Sequence, residues 1–181
     1  MYGGNSEGLN SDTFILNFTC EDNLRIDGSI MALLSADNDT IPNPNCFKSL
    51  FEGCTGLTHG PSMPATNLKE YCYANMFEGC TSLIKGPYLP ATELKDSCYM
   101  EMFSCCSSME SLKVDFVDWF EDSRWFSFDN KPTKNWLANT NLQVDVTKEF
   151  FCSPDLDITS NPDESHVPTW WTVKKDDVIE A

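Results

Sequence analysis

From Cys72 to Cys80 the apolar side chains Cys72, Tyr73, Met76, Phe77 and Cys80 fall at i, i+1, i+4, i+5 and i+8, the spacing of one apolar face on a short helix. Gly79 and the following Thr81-Ser82 end that helix. Leu83-Ile84 then extends into a short strand, Gly86-Pro87 breaks it, and Leu89-Pro90-Ala91-Thr92 is extended, because a residue before proline avoids the helical region. Thr66 and Thr92 either cap the next helix or lie in a second short strand.

This pattern repeats. Cys46 to Tyr71 reads CFKSLFEGCTGLTHGPSMPATNLKEY and Cys72 to Ser97 reads CYANMFEGCTSLIKGPYLPATELKDS, two units of 26 residues with 14 identical positions; a third begins at Cys98 as CYMEMFSCCSSMESLKV and then departs. One helix and one or two short strands per unit predict a solenoid whose neighbouring coils must stack to close a core.

Six of the nine cysteines are repeat positions, in the series Cys46, Cys72, Cys98 and Cys54, Cys80, Cys106. On stacked helices about 8–10 Å apart, equivalent cysteines lie beyond the roughly 7 Å reach of a disulfide. The expectation is reduced, buried thiols acting as small hydrophobes, with at least six free by thiol counting. A disulfide involving Cys20, Cys105 or Cys152 and a metal site are the alternatives, although only Cys105-Cys106 are close and adjacent residues rarely ligate together.

Charge narrows the partners. The 181 residues carry 12 Lys+Arg against 28 Asp+Glu, a formal charge of -16, which excludes nucleic acid and an anionic membrane surface as expected partners. With 41% hydrophobic and 12% aromatic residues the chain still has material for one domain. The acid sits in the flanks: seven acidic and one basic residue precede Cys46, six and four lie between Cys46 and Cys106, and 15 and seven follow. No basic residue precedes Arg25 and no long apolar run occurs, so neither a secretory signal nor a membrane insertion is expected. The chain then reads as cytoplasmic, delivered by another route, or a mature piece of something larger.

The units CYANMFEGCTSL and GPYLPATELKDSCYMEMF resemble the BspA-like leucine-rich-repeat proteins, especially a version found in gut Bacteroidetes and in viruses of those bacteria. Gly28-Ser29-Ile30-Met31-Ala32-Leu33-Leu34 is similar to the family's N-terminal cap; Asn135-Trp136-Leu137, Val167-Pro168 and Trp171-Thr172-Val173 are similar to its C-terminal cap. Cys105 replaces the repeat glycine, and the connection to Asn135 carries an aromatic and acidic insertion. The resemblance implies a short α/β leucine-rich-repeat-like solenoid of about three coils, with a loose segment 1–12, an N-terminal cap 13–45, repeats 46–106, a C-terminal cap 107–173 and a loose tail 174–181. It also implies a non-catalytic, adhesin-like module without a cofactor, binding a protein or glycan at a bacterial or virion surface. A virion component, self-associating or attached through its first dozen residues, explains the missing signal; an acidic inhibitor of a basic host protein explains the charge.

Catalytic chemistry finds little footing. His59 stands where Lys85 stands in the next unit and reads as a solvated turn residue, and His166 has no nucleophile beside it. Asp155-Leu156-Asp157-Ile158-Thr159-Ser160-Asn161 begins with a calcium-loop rhythm, but Ser160 occupies the glycine position and His166 the glutamate position; Asp37-Asn38-Asp39 fails similarly. The candidate ligand-binding residues are Phe116, Trp119, Phe120, Arg124, Trp125, Phe126 and Phe128, large aromatics in an acidic frame suited to a protein hot spot or a sugar platform. On that reading, Trp119→Ala with Trp125→Ala removes binding and leaves the fold intact; on the other, the rings close the open end of the core. The turn residues Lys48, His59, Lys85 and Tyr88 form a second candidate surface.

Overall fold

The computed structural model describes residues 16–34, 39–119, 131–140, 146–158 and 166–175. Among them there is no α-helix, and the strands are short and parallel. β1 (Leu24–Arg25) pairs with β2 (Leu57–His59), and β3 (Ser111–Lys113), β4 (Lys148–Cys152) and β5 (Trp171–Lys175) form a second small sheet in the order β3-β4-β5. Single bridges His59↔Lys85 and Lys85↔Ser111 run between them. The α/β leucine-rich-repeat-like solenoid expected from the sequence is therefore overturned.

In place of the expected helices stand runs of continuous turn at 44–53, 70–79, 96–105 and 132–139. Every fourth residue in these runs has a left-handed backbone: Asn45, Ser49 and Gly53; Tyr71, Asn75 and Gly79; Ser97, Glu101 and Cys105; Asn135 and Asn139. The backbone amides then divide by parity. Lys48, Leu50, Glu52 and Cys54 each donate three residues back, to Asn45, Phe47, Ser49 and Phe51. Phe47, Ser49, Phe51 and Gly53 donate instead to Cys72, Ala74, Met76 and Glu78 of the next unit, at 2.7–2.9 Å. No amide in the run is left over for an i→i−4 ladder, so a helix is excluded by the same bonds that join the units.

The period of four keeps two adjacent side chains in every four facing inward. Cys46, Phe47, Leu50, Phe51 and Cys54 are buried, as are their equivalents in the next two units. The units lie in register, so the rings stack in columns: Phe18, Phe51, Phe77 and Phe103 at centroid spacings of 5.8, 5.6 and 5.7 Å, and Phe47, Tyr73 and Tyr99 at 5.7 and 6.1 Å. Such contacts add about 0.5–1.5 kcal/mol each beyond the area they bury. The 132–139 run, within the stretch expected to cap the chain, accepts amides from Tyr99, Glu101, Phe103 and Cys105 in the same way.

The cysteine expectation is also corrected at one position. Cys20 and Cys54 form a disulfide, with Cα atoms 4.7 Å apart. Hydrogen-bonded neighbouring segments sit at strand-like separation, well inside the disulfide limit that packed helices would exceed. The other seven cysteines form no disulfide, and six of them are buried. Cys80 and Cys106 aim their thiols at the carbonyls of Phe51 and Phe77, 3.1 and 3.0 Å away.

Cys105 stands at φ 61° where Gly53 and Gly79 occupy φ 74° and 71° in the preceding units. A side chain in this region is strained by about 1–2 kcal/mol. Cys105→Gly is accordingly expected to raise stability by about 1 kcal/mol; a lowered denaturation midpoint would contradict the turn geometry.

Candidate functional site

The aromatic candidates separate. Phe116 and Trp119 are buried, 0% and 3% exposed, in a cluster with Trp136, Phe150 and His166, where their rings meet edge-on or tilted. Trp119 donates its indole N–H to the Asp157 carbonyl at 2.7 Å, and Trp136 donates to His166 at 3.2 Å. These two candidates therefore fill the core beside the fourth turn run and present no ring to a ligand. Phe120, Arg124, Trp125, Phe126 and Phe128 lie outside the described residues.

Among the described residues the titratable groups form no reactive constellation. Burial raises the thiol pKa of Cys72 and Cys106 well above the usual value and pushes Cys80 up to about 12, which keeps these sulfurs protonated and poorly nucleophilic. Asn75 donates to the Glu78 and Glu101 carboxylates at 2.7 and 2.8 Å; burial raises the Glu78 pKa, with this hydrogen bond opposing and the Glu101 and Glu52 charges adding to it. Among the described residues no group of three His, Cys, Asp or Glu side chains could hold a metal ion.

His166 is a pH-sensitive part of the core. Burial, with Lys131 adding to it and Asp157 opposing, lowers its pKa to about 4. The unfolded imidazole titrates near 6.5, so the unfolded chain takes up a proton first as the solution is acidified. Full stability is expected above about pH 6.5, with a decline towards about pH 4. Melting curves across that window should lose this slope in His166→Gln; an unchanged slope would place the titration elsewhere.

The second candidate surface contains a shaped site. The stretches 60–64 and 86–90 are equivalent loops of adjacent units, and Gly60, Pro61, Ser62, Met63 and Pro64 of the first with Pro87, Tyr88 and Pro90 of the second line an open groove of about 430 Å³. That lies within the roughly 300–1,000 Å³ of small-ligand sites. Met63 and Leu89 are buried and fasten the loops to the core. Gly60 and Gly86 permit close approach, since a Cβ at Gly60 would sit 3.2 Å from the Phe77 ring and one at Gly86 2.6 Å from Leu112 Cδ1.

Register explains why there is a groove. The bridges Ser29↔Ser62 and Leu89↔Val114, with Ser62 and Tyr88 at the same repeat position, put Ser62, Tyr88 and Lys113 in one column. The Lys113 ammonium accordingly lies 4.9 Å from the centroid of the Tyr88 ring, and the Tyr88 hydroxyl donates to Asp115. On the other side the column holds only the small Ser62, so the neighbouring space stays open and Tyr88, 39% exposed, forms its wall. Burial, the Asp115 hydrogen bond and its charge push the phenol pKa up to about 12, so the hydroxyl stays a donor.

The chain matches no family model, curated protein or solved structure. The site is thus read from its own geometry. Of the other turn residues, Lys48 lies over the Tyr71 ring at 5.5 Å, and His59 and Lys85 share the parallel bridge column. Tyr88 alone of the four lines the groove. Its sequence signal was the Ser62/Tyr88 difference between otherwise similar loops, which acquires meaning only once the units are known to lie in register.

Proposed function

We propose that this chain is a non-catalytic, adhesin-like recognition module that holds a protein or glycan ligand in the groove beside Tyr88. The observation that carries the reading is an exposed aromatic ring fixed by Lys113 and Asp115 at the wall of a preformed, mostly apolar groove. Fixed aromatic surface binds with little loss of side-chain freedom, which is why such residues anchor interfaces. The buried, protonated thiols fit binding better than nucleophilic chemistry. The Cys20–Cys54 disulfide fits a ligand met in an oxidising environment. The resemblance to BspA-like proteins agrees with recognition, although the α/β solenoid it implied does not carry over.

The test is capture of arrayed glycans and purified soluble proteins by the wild type and by Tyr88→Ala. The side chain is exposed at the groove wall, so the variant should melt close to the wild type and lose the ligand. Undiminished capture by Tyr88→Ala would sink this assignment.

A further inference from the structure

We infer that the groove is a slot for one uncharged pyranose ring, stacked on the free face of Tyr88 above Ser62. The inference rests on the recognition reading and narrows its ligand. Inside the protein, adjacent units hold their rings 5.6 and 5.7 Å apart along the Phe51, Phe77 and Phe103 column. The Ser62, Tyr88 and Lys113 column crosses the same units, with a one-residue shift at Lys113, and its Ser62 position carries no ring. A ligand ring over Ser62 would complete the column against Tyr88.

The polar character of the wall selects the ring. Pro61, Pro64, Pro87 and Pro90 are half of the lining residues, and none has an amide N–H. The Ser62 amide is spent on the Gly28 carbonyl at 2.8 Å, and its hydroxyl on the same oxygen at 3.2 Å. The four prolines and Ser62 thus add no free amide donor to the wall, which suits a ligand that brings hydroxyl donors of its own. None of the lining residues is charged, Lys113 and Asp115 are both engaged with Tyr88, and the chain as a whole carries -16. A carboxylated or sulfated ligand would find few donors and an opposing field. A pyranose presents one apolar face for the tyrosine ring and hydroxyls around its rim, matching both features.

Wild type, Tyr88→Ala and Ser62→Tyr are screened on an array of neutral and anionic glycans, and free methyl pyranosides are titrated against bound neutral glycans. Ser62→Tyr places a protein ring in the slot and should keep or raise the melting temperature. The expected result is binding of neutral glycans by the wild type, displacement by methyl pyranosides, and loss of roughly tenfold or more in affinity in both variants. Preference for anionic glycans, no glycan bound, or full binding by Ser62→Tyr would overturn the inference. Tyr88-dependent capture of a purified protein without any glycan binding would do so while leaving the recognition reading standing; glycan binding unaffected by both substitutions would remove both.

Discussion

Trp119→Ala should lower stability by about 3–5 kcal/mol, as truncation of a large buried aromatic does. The indole is 3% exposed, touches Phe116, Trp136 and His166, and donates to the Asp157 carbonyl. Truncation would leave a cavity between the 132–139 turn run and residues 166–171, together with a carbonyl deprived of its donor. Chemical denaturation measures the effect directly. A loss below about 1 kcal/mol would mean that the ring is not part of the core and would restore the surface role expected from the sequence.

Reduction of the Cys20–Cys54 disulfide should cost about 3–4 kcal/mol, given a sequence separation of 34 residues. The segment it ties down is also held by hydrogen bonds that include Phe18 N–H to Leu50, Gly56 N–H to Cys20, Leu24 N–H to Gly56, Ile26 N–H to His59 and the Asn17 amide to Ser49 and Glu52. Gly56 is part of the same contact, since a Cβ there would lie 2.0 Å from the Asp22 carbonyl oxygen. Hydrogen exchange in residues 16–26 should therefore accelerate on reduction or in Cys20→Ser, while residues 71–106 change little. Thiol counting in denaturant without reductant should find seven free cysteines; nine would show the pair unformed.

The repeat and its buried positions were legible in the sequence, and the secondary structure was not. Cys72, Tyr73, Met76, Phe77 and Cys80 satisfy a helical face over two turns, but a 3.6-residue helix drifts by about 80° over eight residues and a four-residue turn repeat does not. Nine residues are too few for the drift to separate the two. The discriminating signal lay at the polar positions: Asn45 and Gly53, Asn75 and Gly79, and Asn135 and Asn139 recur at multiples of four, and asparagine and glycine are the residues that tolerate a left-handed backbone. A disulfide at Cys20 stood among the sequence alternatives, but Cys54 was not read as its partner, because helical spacing set the repeat cysteines apart as unpaired core thiols. Phe116 and Trp119 were open to two readings, a ligand platform in an acidic frame or rings that close the end of the core; their burial against Trp136 of the fourth turn run decides for the second at these two positions.

The groove depends on the register most of all. If the units are joined by alternate amides, Ser62 and Tyr88 stand side by side and the slot exists; if those segments are helices, the column dissolves. Through-hydrogen-bond scalar couplings in isotope-labelled protein report this without interpretation of shape. Couplings are predicted from the amides of Phe47, Ser49, Phe51 and Gly53 to the carbonyls of Cys72, Ala74, Met76 and Glu78. Couplings from Leu50 to Cys46 and from Cys54 to Leu50, the i→i−4 pattern of a helix, would contradict the account.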